Sequence, residues 1–416
     1  MTRSHSLSLL LLSAAASLLL AACGGDDSSS TVANGYPGDK TTKTKALTPG
    51  TGDWLRFGRM EQRTHYLPAP DDLNPPVSQE WSFSDRVLIE FPPALHDGIV
   101  YLADKYGDVR ALRLEDQKVL WDLQKSKQDV GPPSDTTAPA YFDGHVFVAF
   151  QHGELVSLDA ESGKVEWRRD MQTGLQSSPL AVDGRLYLGS EKGTLFALDS
   201  ETGKTIWTRN ATTPIKASPS LDKGTVFYAS YSGTMFAADA KSGKLKWSTD
   251  TMNTKPGGDG GFYSSPAVTA GRVFAGRDDG IVYAFDQKTG RQSWFFQTEG
   301  DIYGSPAVAQ VPGTPLTVYI GSYDSRLYAI NARTGAKEWD FDVGGEIPGT
   351  ATVIGHTVYT SSFATGDSIG IDVKTHKKVF SYPSPGYTPM ISDGKNLYLI
   401  GYYTLHGFKV ESQASP

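Results

Sequence analysis

The chain has almost no cysteine: among its 416 residues there is one, Cys23. That excludes a disulfide framework within the chain, a cysteine-rich metal site and a c-type haem attachment. Histidine is scarce as well. The 8 histidines show neither H-x-x-x-H nor H-E-x-x-H spacing, so the common zinc signatures are missing. No block of Lys or Arg stands out, and a formal net charge of −7 gives nucleic-acid binding no electrostatic support. Long apolar runs are absent except at the very start, so nothing else in the chain reads as a spanning helix.

That first run, LSLLLLSAAASLLLAA, follows a single charge at Arg3 and ends in small residues. It is too short to span and has the pattern of a secretory signal over residues 1–22. Its ending, Leu20-Ala21-Ala22-Cys23, resembles the bacterial lipobox, and the only cysteine falls where a lipobox needs it. The resemblance implies cleavage before Cys23, lipid attachment there, and a membrane tether without a spanning segment. Residues 23–52 are rich in Gly, Ser, Thr and Pro with little apolar material, which predicts a disordered tether.

What the chain has in abundance is glycine (44), tyrosine (20) and a repeat. Trp167, Trp207 and Trp247 are each forty residues apart. A period of this length signals a solenoid or a propeller. The unit from Ser178 to Trp207 reads as four strands: SPLAV, RLYLGS, TLFALD and KTIWTR. Asp183-Gly184, Lys192-Gly193 and Ser200 to Gly203 are the turns between them, with glycine supplying positive φ. The second and third strands are apolar on both faces, as strands in stacked sheets must be. Similar units run from Pro92 to Trp121, Ala138 to Trp167, Ser218 to Trp247, Ser265 to Trp294 and Ser305 to Trp339. A seventh unit ends in Phe380, and an eighth stops at Val410 with three strands. Near the start, Val77–Phe83 with Trp81 is a fourth strand lacking its three. The two ends therefore complete one sheet. The prediction is an all-β, eight-bladed β-propeller over residues 53–410, built from four-stranded antiparallel blades, the last closed by an N-terminal strand. Residues 411–416 form a tail.

The pattern A-x-D-x-x-T-G-K-x-x-W, here Ala197 to Trp207, resembles the tryptophan-docking repeat of the pyrroloquinoline-quinone (PQQ) type propellers. The leader DWLRFG from Asp53 resembles the segment that precedes many such repeats. The resemblance implies that Trp81, Trp121, Trp167, Trp207, Trp247, Trp294 and Trp339 each dock on the next blade. The first repeat, with Gln117, and the seventh, with His376, lack the turn glycine, which predicts looser junctions there. Within the family the quinoprotein alcohol dehydrogenases carry PQQ, calcium and a disulfide between adjacent cysteines, and this chain has no Cys-Cys. It is similar instead to the non-catalytic lipoprotein group of outer-membrane assembly factors, in size, lipobox, tether and blade number.

Asp159, Asp199, Asp239 and Asp286 recur once per unit, which marks them as turn acceptors, not catalysts. Glu299 and Asp301 read as a solvated pair on a loop. The inter-blade loops carry more information. The step from Trp to the next unit is 11 residues after Trp167, Trp207 and Trp294, but 17 after Trp121 and 18 after Trp247. The insertions, Lys125–Asp135 and Thr254–Tyr263, share a face with the turns between second and third strands. That face also carries Tyr106, His152, Tyr231, Tyr263, Tyr303, Tyr323 and Tyr387. Loop aromatics on a rigid scaffold make a candidate binding face, and they can equally plug the ring or pack the loops.

Three functions follow as expectations. The first is a non-catalytic, lipid-anchored scaffold with no cofactor and no catalytic or metal residues. It would be monomeric and would bind envelope or outer-membrane proteins. Gly24 after the lipidated cysteine then points to the periplasmic side of an outer membrane, or to the outer face of the cell membrane where there is only one. The second is a PQQ-dependent oxidoreductase. The third is a ligand- or glycan-sensing module.

Overall fold

The computed structural model describes residues 52–69, 73–84, 87–124, 135–251, 260–387 and 390–411. The expected signal segment, Cys23 and the tether lie outside the described residues, as do most of the two loop insertions and residues 412–416.

Eight sheets form an all-β propeller. Blade 3 shows how one unit folds. Its strands are Leu180–Val182, Arg185–Gly189, Thr194–Asp199 and Thr205–Asn210, each antiparallel to the next. Asp183 and Gly184 both have positive φ, 50° and 71°, the backbone of a tight hairpin turn whose twist matches the strands it joins. Leu186, Tyr187 and Leu188 are all buried, because the faces of this strand pack against both neighbouring blades. Asp199 caps the last turn, accepting from the Thr202 amide at 2.9 Å and its hydroxyl at 2.7 Å. Asp159, Asp239, Asp286 and Asp372 do the same in their blades.

One-residue bulges then aim the outer strand. Ala197 faces Trp207 while Leu198 faces Thr205, so Ile206 is squeezed out and left exposed. A bulge bends its strand and re-aims the next side chain. Trp207 consequently leans on Tyr187 of its own blade, with ring centroids 5.8 Å apart, and donates its indole N–H to Ala240 of the next blade at 3.1 Å. Gly243 makes the approach possible, since a Cβ there would lie 2.7 Å from the indole.

Closure falls in blade 8. Met390–Ser392, Asn396–Ile400 and Thr404–Val410 come from the end of the chain, and Val77–Ser84 pairs antiparallel with Thr404–Val410. Around the channel a belt of hydroxyls ties first strand to first strand. Ser178, Ser218, Ser265, Ser305 and Thr350 each accept the backbone N–H of the preceding blade, at 2.9–3.2 Å.

Candidate functional site

One addition to the eight-fold plan determines what the ring can hold. The leader does not lie outside the ring; it runs inside the channel. Trp54 exchanges backbone hydrogen bonds with Leu95 of blade 1, and the carbonyls of Leu55, Glu61, Gln62, Thr64 and His65 accept from Tyr141, Leu221, Val268, Val308 and Val353. Six blades are thus stitched to one segment, which ends as Tyr66–Leu67, a fifth strand parallel to Thr352–Ile354 of blade 7. Arg63, fully buried, donates Nε to Pro219 at 2.6 Å, Nη2 to Ser178 at 3.2 Å and Nη1 to Phe57. Burial and Arg56 pull its pKa down to about 9, which leaves it cationic at neutral pH. His65 beside it is held neutral: burial, then the charge on Arg63, pushes its pKa to about 3. Sequence reasoning recognised the leader but not its place. The available signal was a Trp and a Phe among three arginines, outside any repeat and without period.

The plug meets the channel near the turns between first and second strands. At the other end the channel opens as a depression of about 330 Å³, with Phe57 among its lining residues. Tyr263, Tyr303, Tyr323 and Tyr387 stand around it. Tyr231, Tyr263, Tyr303 and Tyr323 form a continuous arc, with successive centroids 5.0, 5.4 and 4.9 Å apart. Edge and tilted contacts of this kind hold rings without a flat stack. Lys216, not anticipated from the sequence, lies over Tyr231 and Tyr263 at 4.5 and 4.6 Å and donates to the Tyr263 hydroxyl at 2.9 Å. Burial raises the pKa values of Tyr303, Tyr323 and Tyr387, with Asp301 and Asp278 adding to it at Tyr303 and Glu90 at Tyr387. These phenols stay protonated and can donate. Three of the anticipated residues do not line the depression: Tyr106, His152 and Tyr231, which reaches it through Tyr263. Tyr106 sits on the turn of blade 1 with 64% of its surface exposed, and His152 lies 3.6 Å from Glu154 on the turn of blade 2. The Glu299 amide donates to Asp324, and the Asp301 carbonyl accepts from Tyr323.

The tryptophans divide into two groups. Trp121, Trp167, Trp207, Trp247 and Trp294 donate to Ala160, Ser200, Ala240, Gln287 and Ala332 at 2.9–3.1 Å, each beside a turn glycine. Among the described residues, Trp81 and Trp339 make no such bond to the next blade. Before Trp81 the turn residue is Gln117, whose own amide donates to Leu114 at 2.9 Å. Before Trp339 it is His376, whose ring stacks on the indole at 4.8 Å.

Fold and repeat define the class: the chain is a PQQ-like β-propeller repeat protein. The model of the family described as "Outer membrane protein assembly factor BamB" matches residues 105–217 and 191–415, and the chain belongs to that family. Among solved structures it is similar to BamB from Moraxella catarrhalis, at 18% identity and a TM-score of 0.67, covering 80% of this chain and 99% of that one. It is similar also to the quinohemoprotein alcohol dehydrogenase of Comamonas testosteroni, at 16% identity and 0.70, covering 88% and 81%. The designed protein Ika8 matches at 15% and 0.67, covering 80% and 100%. At these identities the likeness is one of fold. No characterised protein matches the chain by sequence alone.

The dehydrogenase cofactor can be tested against the residues present. PQQ carries three carboxylates and is held with calcium. Among the described residues, Lys216 is the one cation lining the depression, and no group of three or more His, Cys, Asp or Glu is placed to hold a metal ion. Below the depression the leader crosses the channel, bonded to the first strands. These residues do not fit that group.

Proposed function

We propose that this chain is a non-catalytic scaffold, lipid-anchored through Cys23, that binds other envelope proteins through the tyrosine-lined face, in an assembly role like that named for BamB. The observation that carries the reading is the arc of Tyr231, Tyr263, Tyr303 and Tyr323 at an open depression on a ring whose channel the leader crosses. Tyrosines on a rigid support, with apolar rings and donor hydroxyls, are the usual anchors of protein interfaces. Family membership supports the assembly role, and the lipobox supports an extracytoplasmic location on the periplasmic face of an outer membrane.

The test is affinity capture from the envelope fraction with the full chain and with a Tyr303→Ser, Tyr323→Ser double variant. The reading expects one or a few envelope proteins retained by the first and lost by the second. Equal capture by both would place the interface elsewhere. The fold likeness to alcohol dehydrogenases keeps the oxidoreductase reading in view, and titration with PQQ and calcium separates the two. The scaffold reading expects no change in absorbance and no dye-linked alcohol oxidation.

A further inference from the structure

On the opposite face, two departures from the repeat meet. The turn between the first two strands of blade 6 is expanded by the insertion Val311–Leu316, where the other blades use a tight turn. The last turn of blade 7 carries His376 where blades 2 to 6 carry glycine. Between them lies a half-open cleft of about 360 Å³, lined by Thr314, Tyr319, Glu338, Trp339, Lys374 and His376. That volume is within the range of small-molecule sites.

The cleft has a physical cause. In the regular junctions a Cβ on the turn glycine would lie 2.5–2.9 Å from the indole, so only glycine lets the tryptophan seat. His376 has that Cβ, and its φ of 58° keeps the glycine-like backbone. Trp339 is held off and stacks on the imidazole at an interplanar angle of 28°. By register its indole N–H should reach the Val373 carbonyl, as Trp294 reaches Ala332, and that bond is absent among the described residues. A donor and an acceptor that normally satisfy each other are therefore left in a cleft walled by aromatic rings.

We infer that this cleft is a carbohydrate site, taking one pyranose unit of an oligosaccharide. A sugar ring presents C–H groups to the aromatic wall of Tyr319, Trp339 and His376 and hydroxyls to its polar groups. One sugar hydroxyl can accept from the Trp339 N–H and donate to the Val373 carbonyl, which no purely apolar ligand can do. Glu338 supplies a further acceptor and Lys374 a further donor at the rim. The site is independent of the tyrosine-lined face and does not rest on the scaffold reading.

The test uses the full chain with chitotetraose, cellotetraose and maltotetraose, followed by tryptophan fluorescence and ligand-observed NMR. At least one should bind, with a change in fluorescence. His376→Gly should let Trp339 seat on blade 7, close the cleft and weaken that binding about tenfold or more, while the unfolding temperature stays level or rises. Trp339→Phe, which keeps a ring but loses the donor, should weaken binding less. Absence of binding by all three sugars overturns the inference, and so does undiminished binding by His376→Gly. A fall in the unfolding temperature of His376→Gly contradicts the seating argument.

Discussion

Replacing Arg63 by alanine tests the plug. Its guanidinium gives three charged hydrogen bonds, to the carbonyls of Phe57, Ser178 and Pro219, and a longer one at 3.5 Å to Pro179, and it joins the plug to blades 3 and 4. Bonds from a charged donor contribute about 1.5–3 kcal/mol each, so the gross loss is roughly 5–9 kcal/mol. Against this stands the cost of keeping an unpaired cation buried, which is several kcal/mol and is relieved by the substitution. A net destabilisation of about 3 kcal/mol follows. With an unfolding entropy of about 2.1 cal/mol/K per residue, that lowers Tm by about 4 °C in a unit of this size. Arg63→Lys keeps the charge but loses the fork that reaches three carbonyls, so it should fall between wild type and alanine. Differential scanning calorimetry reads all three proteins. A shift below about 1 °C for alanine, or a lysine variant equal to wild type, would refute the claim that this side chain ties the plug to the ring.

Further outcomes follow from neighbouring features. His65 has a folded pKa of about 3 against about 6.5 unfolded, so the unfolded chain takes up the proton first. Its contribution is therefore neutral above pH 6.5, and stability is lost as pH falls from 6.5 towards 3, by about 2 kcal/mol at pH 5. Urea midpoints at pH 7 and pH 5 should show a smaller pH loss in His65→Gln than in wild type, and equal losses would contradict the assignment. Gly243→Ala places a Cβ 2.7 Å from Trp207 at φ +69°, whereas Gly184→Ala at φ +71° meets nothing within 4 Å. Both carry the backbone penalty of about 1–2 kcal/mol, and only the first adds the lost docking, so its Tm should fall further.

The repeat was legible because its physics is local. Asp-Gly and Thr-Gly turns, a Trp every forty residues and strands apolar on both faces are each readable over a few positions, and the orphan strand at Val77 implied closure. The plug was not legible. Residues 53–67 pair with strands up to almost three hundred residues away, and no short-range pattern encodes a contact with six different blades. The binding face was legible in part. Loop tyrosines could be assigned to a face by topology, but ring geometry gathers Tyr263, Tyr303, Tyr323 and Tyr387 and leaves Tyr106 and His152 outside. Lys216 escaped because one lysine in a loop carries no signal until two tyrosine rings are placed beside it. The absent glycine before Trp339 was visible in the sequence. That a cleft lies at its replacement depends on packing between two blades, which neither repeat encodes by itself.

The central claim is that one face of the ring meets a protein partner. Photo-crosslinking in cells tests it most directly, with a photoreactive residue at Tyr303 or Tyr323 on one face and at Ser242 or Thr289 on the other. A discrete crosslinked envelope protein is expected from the first pair and none from the second. The same crosslink from Ser242 or Thr289, with none from Tyr303 or Tyr323, would contradict it.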